Sequence, residues 1–206
     1  MSYSQAMSIQ NLDQLAWDYL MGSPRDQIAL SNTLVNVGAA AVFPLLRAGL
    51  RVAQEFNPLQ TPGVKPLDRQ TAEQVWIYEI AEPMLKSIYT VISAIGQPAY
   101  DALCRALWDP DERLKVFAAV VLLQDPHPSS RTAKQVQDAF NQITSKDHAK
   151  KYFMQSGIFI ALSHILAQGG DAKHQQALRK LATDHQMNED QALKASRNTL
   201  LVYLIR

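Results

Sequence analysis

The sequence predicts an all-α protein of about ten helices, and three observations carry that prediction. Apolar residues recur at helical spacing from Ile9 to Leu204, and no stretch alternates convincingly with period two. Glycine is scarce, with eight in 206 residues, while Ala, Leu and Gln are abundant. Capping residues open the periodic runs, and Pro or Gly closes them.

Ile9, Leu12, Leu15, Ala16, Tyr19 and Leu20 share one face of a first helix that should stop near Gly22. Ser23 before Pro24 is a start signal, because serine caps a helix and proline fits its first turn. The second helix should run to about Val37 and break at Gly38; a third spans Ala40 to Phe56, with Pro44 tolerated in its opening turn or at a kink. Asp68 should cap a long apolar helix through Val75, Trp76, Tyr78, Ile80, Leu85, Ile88, Tyr89, Ile92 and Ile95, bent near Pro83. Pro98 opens a short helix to Trp108, and Asp109, Asp111 and Glu112 place acids where the next helix dipole favours them. Further helices are expected over Ser130–Thr144, from a cap at Ser145 to Ala167, over Asp171–His185, and over Glu189–Leu204. The last is capped by Asn188 with Gln191 three residues on.

These elements suit a single all-helical domain over residues 1–206, with a Pro-rich loop near 57–67 and a second break near 125–130. A hydrophobic share of 47% supplies a core. Twenty basic residues against 19 acidic ones leave a net charge of +1, which excludes a polybasic arm and an acidic tail. Cys104 is the only cysteine, so neither an intramolecular disulfide nor a multi-cysteine zinc site can form. No basic start followed by an apolar core marks a secretory leader, and no run reaches the ~20 apolar residues of a membrane span. The expectation is a soluble, cytoplasmic protein.

Three segments align without gaps. Gly38 precedes Arg47 by nine residues, Gly96 precedes Arg105, and Gly170 precedes Arg179, each Arg following an apolar residue. In each, the glycine should end one helix and let the next pack back as a hairpin. The second copy continues through Asp109, Pro110, Asp111 and Arg113 into the Ala- and Val-rich run ending at Leu123. Over Ile95–Leu123 this resembles a HEAT repeat: a glycine turn, a Leu-rich helix, an Asp-Pro-Asp link and an Arg-plus-Ala-rich helix. The glycine spacings of 58 and 74 depart from the ~40–47-residue HEAT and armadillo period. The resemblance therefore implies a short, irregular α-α solenoid of HEAT-like helical hairpins.

Candidate chemistry is sparse. Cys104 sits on an apolar face beside Leu103 and Leu107 and reads as an inert core thiol. The histidines at 127, 148, 164, 174 and 185 never take metal-ligand spacing. No phosphate loop or nucleophile elbow appears, and Asp109, Asp111 and Glu112 are better explained by capping than by acid-base work. The residues call for no catalytic group, no metal and no cofactor. Trp17, Trp76 and Trp108 are expected to pack inside, Trp108 only partly.

Charge is the remaining clue. Residues 1–127 carry 9 basic and 13 acidic groups, whereas residues 128–206 carry 11 and 6. Lys146, Lys150 and Lys151 cluster with His148 at one helix start, and Lys173, Arg179 and Lys180 lie on the next. A cationic face of this kind can meet an acidic protein, and charge reversal at Lys150 and Lys151 should weaken such binding. The leading expectation is a non-catalytic protein-binding or scaffold module whose partner is another protein. HEAT-like repeats of this general pattern also resemble those of the phycobilisome lyase family, a likeness that implies a bilin held for transfer to antenna proteins. Nucleic-acid binding through the basic half, as in HEAT-like glycosylases, is the third expectation; the near-neutral total charge opposes it. The apolar run Leu200–Ile205 should tuck into the core, the other arrangement being a homodimer contact.

Overall fold

A computed structural model describes residues 9–59, 69–145 and 152–205; the expected caps at Asp68 and Ser145 are respectively outside that range and at its edge. Among the described residues eleven α-helices follow one another: α1 (Ile9–Met21), α2 (Pro24–Val37), α3 (Val42–Glu55), α4 (Arg69–Trp76), α5 (Glu82–Ile95), α6 (Gln97–Ala106), α7 (Glu112–Leu122), α8 (Ser130–Ser145), α9 (Tyr152–Gln168), α10 (Ala172–Asp184) and α11 (Glu189–Ile205). No strand occurs among the described residues. The all-α expectation of about ten helices holds.

Local signals act where the sequence places them. Ser23 Oγ accepts the Asp26 N–H at the start of α2, and Asp111 accepts the Arg113 N–H at 2.9 Å at the start of α7. At α11 the Asn188 side chain accepts from the Gln191 N–H at 2.8 Å, and Gln191 accepts from the Asn188 N–H at 3.0 Å, a reciprocal capping box. The three aligned glycines, Gly38, Gly96 and Gly170, have φ of 73°, 78° and 92°, and they are the positive-φ glycines among the described residues. A β-carbon at any of them would meet nothing within 4 Å. Backbone conformation, not crowding, therefore demands glycine at these turns.

Two details differ from the helical pattern. The long apolar helix does not simply bend at Pro83; it widens into a π-helical turn over Ile77–Ala81 between α4 and α5. Pro83 has no N–H to donate and its ring crowds the carbonyl four residues back, which the wider turn accommodates. Ile77 is fully buried, while Tyr78 inside the turn and Val75 just before it stand exposed instead of joining the core. The second difference is at Gly38. A short 3₁₀ turn, Gly38–Ala41, carries the chain onward, and α3 packs principally on α1 rather than turning back on α2. Pro24–Glu55 thereby becomes one helical run, long and apolar enough to cross a membrane by length and composition alone. Its α3 half has nine residues buried in the protein interior.

The core is continuous from Ala16 in α1 to Ile205 in α11. At its centre lies α7, whose eight buried residues include Phe117 and Val116 and which packs on α3, α6, α9 and α11. Burying a side chain the size of Phe117 contributes about 1.5–3 kcal/mol. Helices α3 and α7 approach closely because position 49 is glycine: a β-carbon there would lie 2.4 Å from the Phe117 ring. Side chains tie distant segments to this core. Tyr19 Oη donates to the Ser87 carbonyl at 2.8 Å, and buried Asn57 donates to the Ile205 carbonyl at 2.5 Å. Arg197 on α11 pairs with Glu82 on α5 at 2.5 Å. The C-terminal run tucks in as expected, with Leu200, Leu201, Leu204 and Ile205 buried.

Candidate functional site

Of the six cationic residues singled out in the sequence, Lys146, Lys150 and Lys151 lie outside the described residues, as does His148. The other three stand on α10. That helix begins just after Gly170, and Asp171 caps it by accepting the His174 N–H at 3.0 Å. His174, Leu178 and Ala182, spaced i, i+4 and i+8, form its buried face against α9 and α11. The His174 ring meets Phe140 of α8 edge-on, with centroids 4.9 Å apart and planes at 87°. Burial holds the His174 pKa below the usual histidine value, against an opposing pull from Asp171.

With that face fixed, the opposite one is set by helix geometry. Lys173, Arg179 and Lys180 are all exposed. Lys173 and Lys180, seven residues apart, fall about 20° apart around the helix and about 10 Å apart along it. Arg179 lies about 100° from Lys180, off that line. The structure thus aligns two of the three cations and sets the third aside.

The groups with chemistry to offer are held otherwise. Cys104 is buried, and burial, reinforced by the nearby Asp101 charge, pushes its thiol up to about 12; it stays protonated at neutral pH. Asp109 and Asp111 each accept a backbone N–H two residues on, from Asp111 and Arg113, as the capping reading requires. Among the described residues, no group of three or more His, Cys, Asp or Glu side chains is gathered to hold a metal. Tyr100 is raised above the ordinary tyrosine value by burial and by bonds to Tyr89 and Asp125.

Four surface features are not announced by the sequence. Exposed Tyr78 lies under the Lys194 ammonium at 5.0 Å, and the Arg51 guanidinium stacks over Trp17 at 3.9 Å. A groove of about 460 Å³ runs between α4 and α11, lined by Glu73, Asn198, Val202 and Tyr203 among others. A second, of about 370 Å³, lies between α3 and the turn joining α6 to α7. Both bring together residues far apart in the chain, and no local spacing announces them. Trp108, at the second groove's turn, is 47% exposed, in line with the expectation that it packs only partly. No protein-family model, curated protein or solved structure matches the chain.

Proposed function

We propose that this protein is a non-catalytic protein-binding module, an irregular HEAT-like α-solenoid that docks an acidic protein surface through the outer face of α10. One observation carries the reading: Lys173 and Lys180 are exposed and aligned on a helix whose other face is occupied by the core. Two like charges on one line of a well-anchored helix form a preorganised cationic strip, and such strips set association rate and partner choice more than raw affinity. The excess of basic groups in residues 128–206 has the sign that an acidic partner would meet. Support for the solenoid comes from the three aligned glycines, which share a positive φ and each precede a helix carrying an exposed Arg.

The test is affinity capture from the native organism's extract on immobilised protein, comparing wild type with the Lys173→Glu/Lys180→Glu double variant. Mass spectrometry and a visible absorption spectrum are read on each eluate. A colourless, stoichiometric protein partner retained by wild type and lost by the variant is the expected result. An identical set of proteins on both columns would remove α10 as the docking face, and a coloured eluate would overturn the scaffold reading in favour of a bilin-handling one.

A further inference from the structure

The groove between α3 and the α6–α7 turn has walls of opposite charge. Arg47 and Arg51, one helical turn apart on α3, line one side, and Asp109 and Asp111 of the turn the other; half-buried Phe43 and the buried Leu50 and Leu114 complete the lining. Oppositely charged side chains across a narrow gap would be expected to close on each other, yet no ion pair spans this one. Arg47 pairs with Asp13 at 2.7 Å and Arg51 with Glu55 at 2.7 Å, each with its side chain about half exposed. The aspartates are occupied only in part: each is bonded through Oδ1 to a backbone N–H. A carboxylate accepts at more than one position and a guanidinium has five donors, so both pairs of side chains keep hydrogen-bonding capacity beyond the bonds they make here. Arg51 is further held by its stacking on Trp17, which limits its freedom to swing across.

We propose that this groove binds a zwitterion with an apolar body, specifically a free α-amino acid with an aliphatic side chain. The ammonium faces Asp109 and Asp111, the carboxylate faces Arg47 and Arg51, and the side chain lies against Phe43, the half-buried apolar residue of the lining. Each charge of the ligand then meets its complement, whereas an ion of one sign engages only one of the two pairs of side chains. A groove of about 370 Å³ falls within the range of small-ligand sites. The site is independent of the α10 face.

Isothermal titration of the full chain with L-leucine tests the assignment, beside leucinamide, which lacks the carboxylate, and 4-methylpentanoate, which lacks the ammonium. Leucine is expected to saturate and to bind about tenfold more tightly than either analogue, because each loses one charge-assisted contact. Arg51→Gln and Asp109→Asn should each weaken leucine about three- to tenfold, the range for partly exposed charged contacts. Asn at 109 can still accept the Asp111 N–H, so the turn is kept, and circular dichroism verifies the fold of both variants. No saturation by about 20 mM leucine, a span that covers weak exposed-site binding, would overturn the proposal. So would equal affinity for the three compounds, or wild-type affinity in both variants.

Discussion

Helices α3 and α10 begin with the same signal and meet different fates. Each follows a positive-φ glycine, and each carries an Arg nine residues after it. Yet α3 is held by α1, α5, α6, α7 and α11, and nine of its residues are buried. Helix α10 packs on α9 and α11, and its buried face is the stripe of His174, Leu178 and Ala182. The glycine decides where the preceding helix ends; the number of neighbours decides how much of the next one is core. A helix with few neighbours keeps a free face, and that is where a charged strip can serve a partner instead of being lost to packing.

The contrast should be largest when the core is emptied. Phe117→Ala, opposite α3, should cost about 3–5 kcal/mol, whereas Leu178→Ala in α10 should fall at or below about 2 kcal/mol. Urea unfolding followed by circular dichroism reads both, and equal costs would mean that α10 is as deeply integrated as α3. Gly49→Ala sharpens the same point from the other side. Its β-carbon would press on Phe117, and overpacking of that kind costs about 1–3 kcal/mol.

The shared feature can be tested at all three turns. Gly38→Ala, Gly96→Ala and Gly170→Ala should each lose about 1–3 kcal/mol from backbone strain alone, since no added contact awaits the new methyl group. If one variant is neutral in chemical denaturation, that turn does not require the left-handed backbone and the alignment loses a member.

Acidification should distinguish the two helices again, through His174. Its folded-state pKa lies below the unfolded value, so its neutral form stabilises the fold fully above about pH 6.5. As pH falls below that point, the unfolded chain binds the proton first and stability declines towards the folded-state pKa. Denaturant midpoints should therefore drop between pH 7.5 and pH 5, and His174→Gln should flatten that slope. Asp171 is also lowered, chiefly by the His174 N–H it accepts, but it acts in a separate window below the usual carboxylate pKa. The smallest effect belongs to the strip itself. Lys173→Glu/Lys180→Glu should change stability by no more than about 0.5 kcal/mol per site in the same assay, as exposed substitutions do.

Much of this architecture could be read from local chemistry. The Ser23, Asp111 and Asn188 caps, the three glycine turns and the Asp109–Asp111 link are short-range interactions, complete within a few residues, so sequence alone determined them. The basic α10 helix was equally legible, but the separation of Arg179 from the Lys173–Lys180 line required knowing which face was buried. The outward turn of Tyr78 depended on how a proline was absorbed, and a π turn shifts helical phase in a way that a fixed 100° period does not contain. Likewise, α3 chose α1 over α2, and Arg47 and Arg51 came to face Asp109 and Asp111 across a groove, because dozens of weak apolar contacts were satisfied at once. Helix boundaries are decided by neighbours in the chain; partners and grooves are decided by neighbours in space.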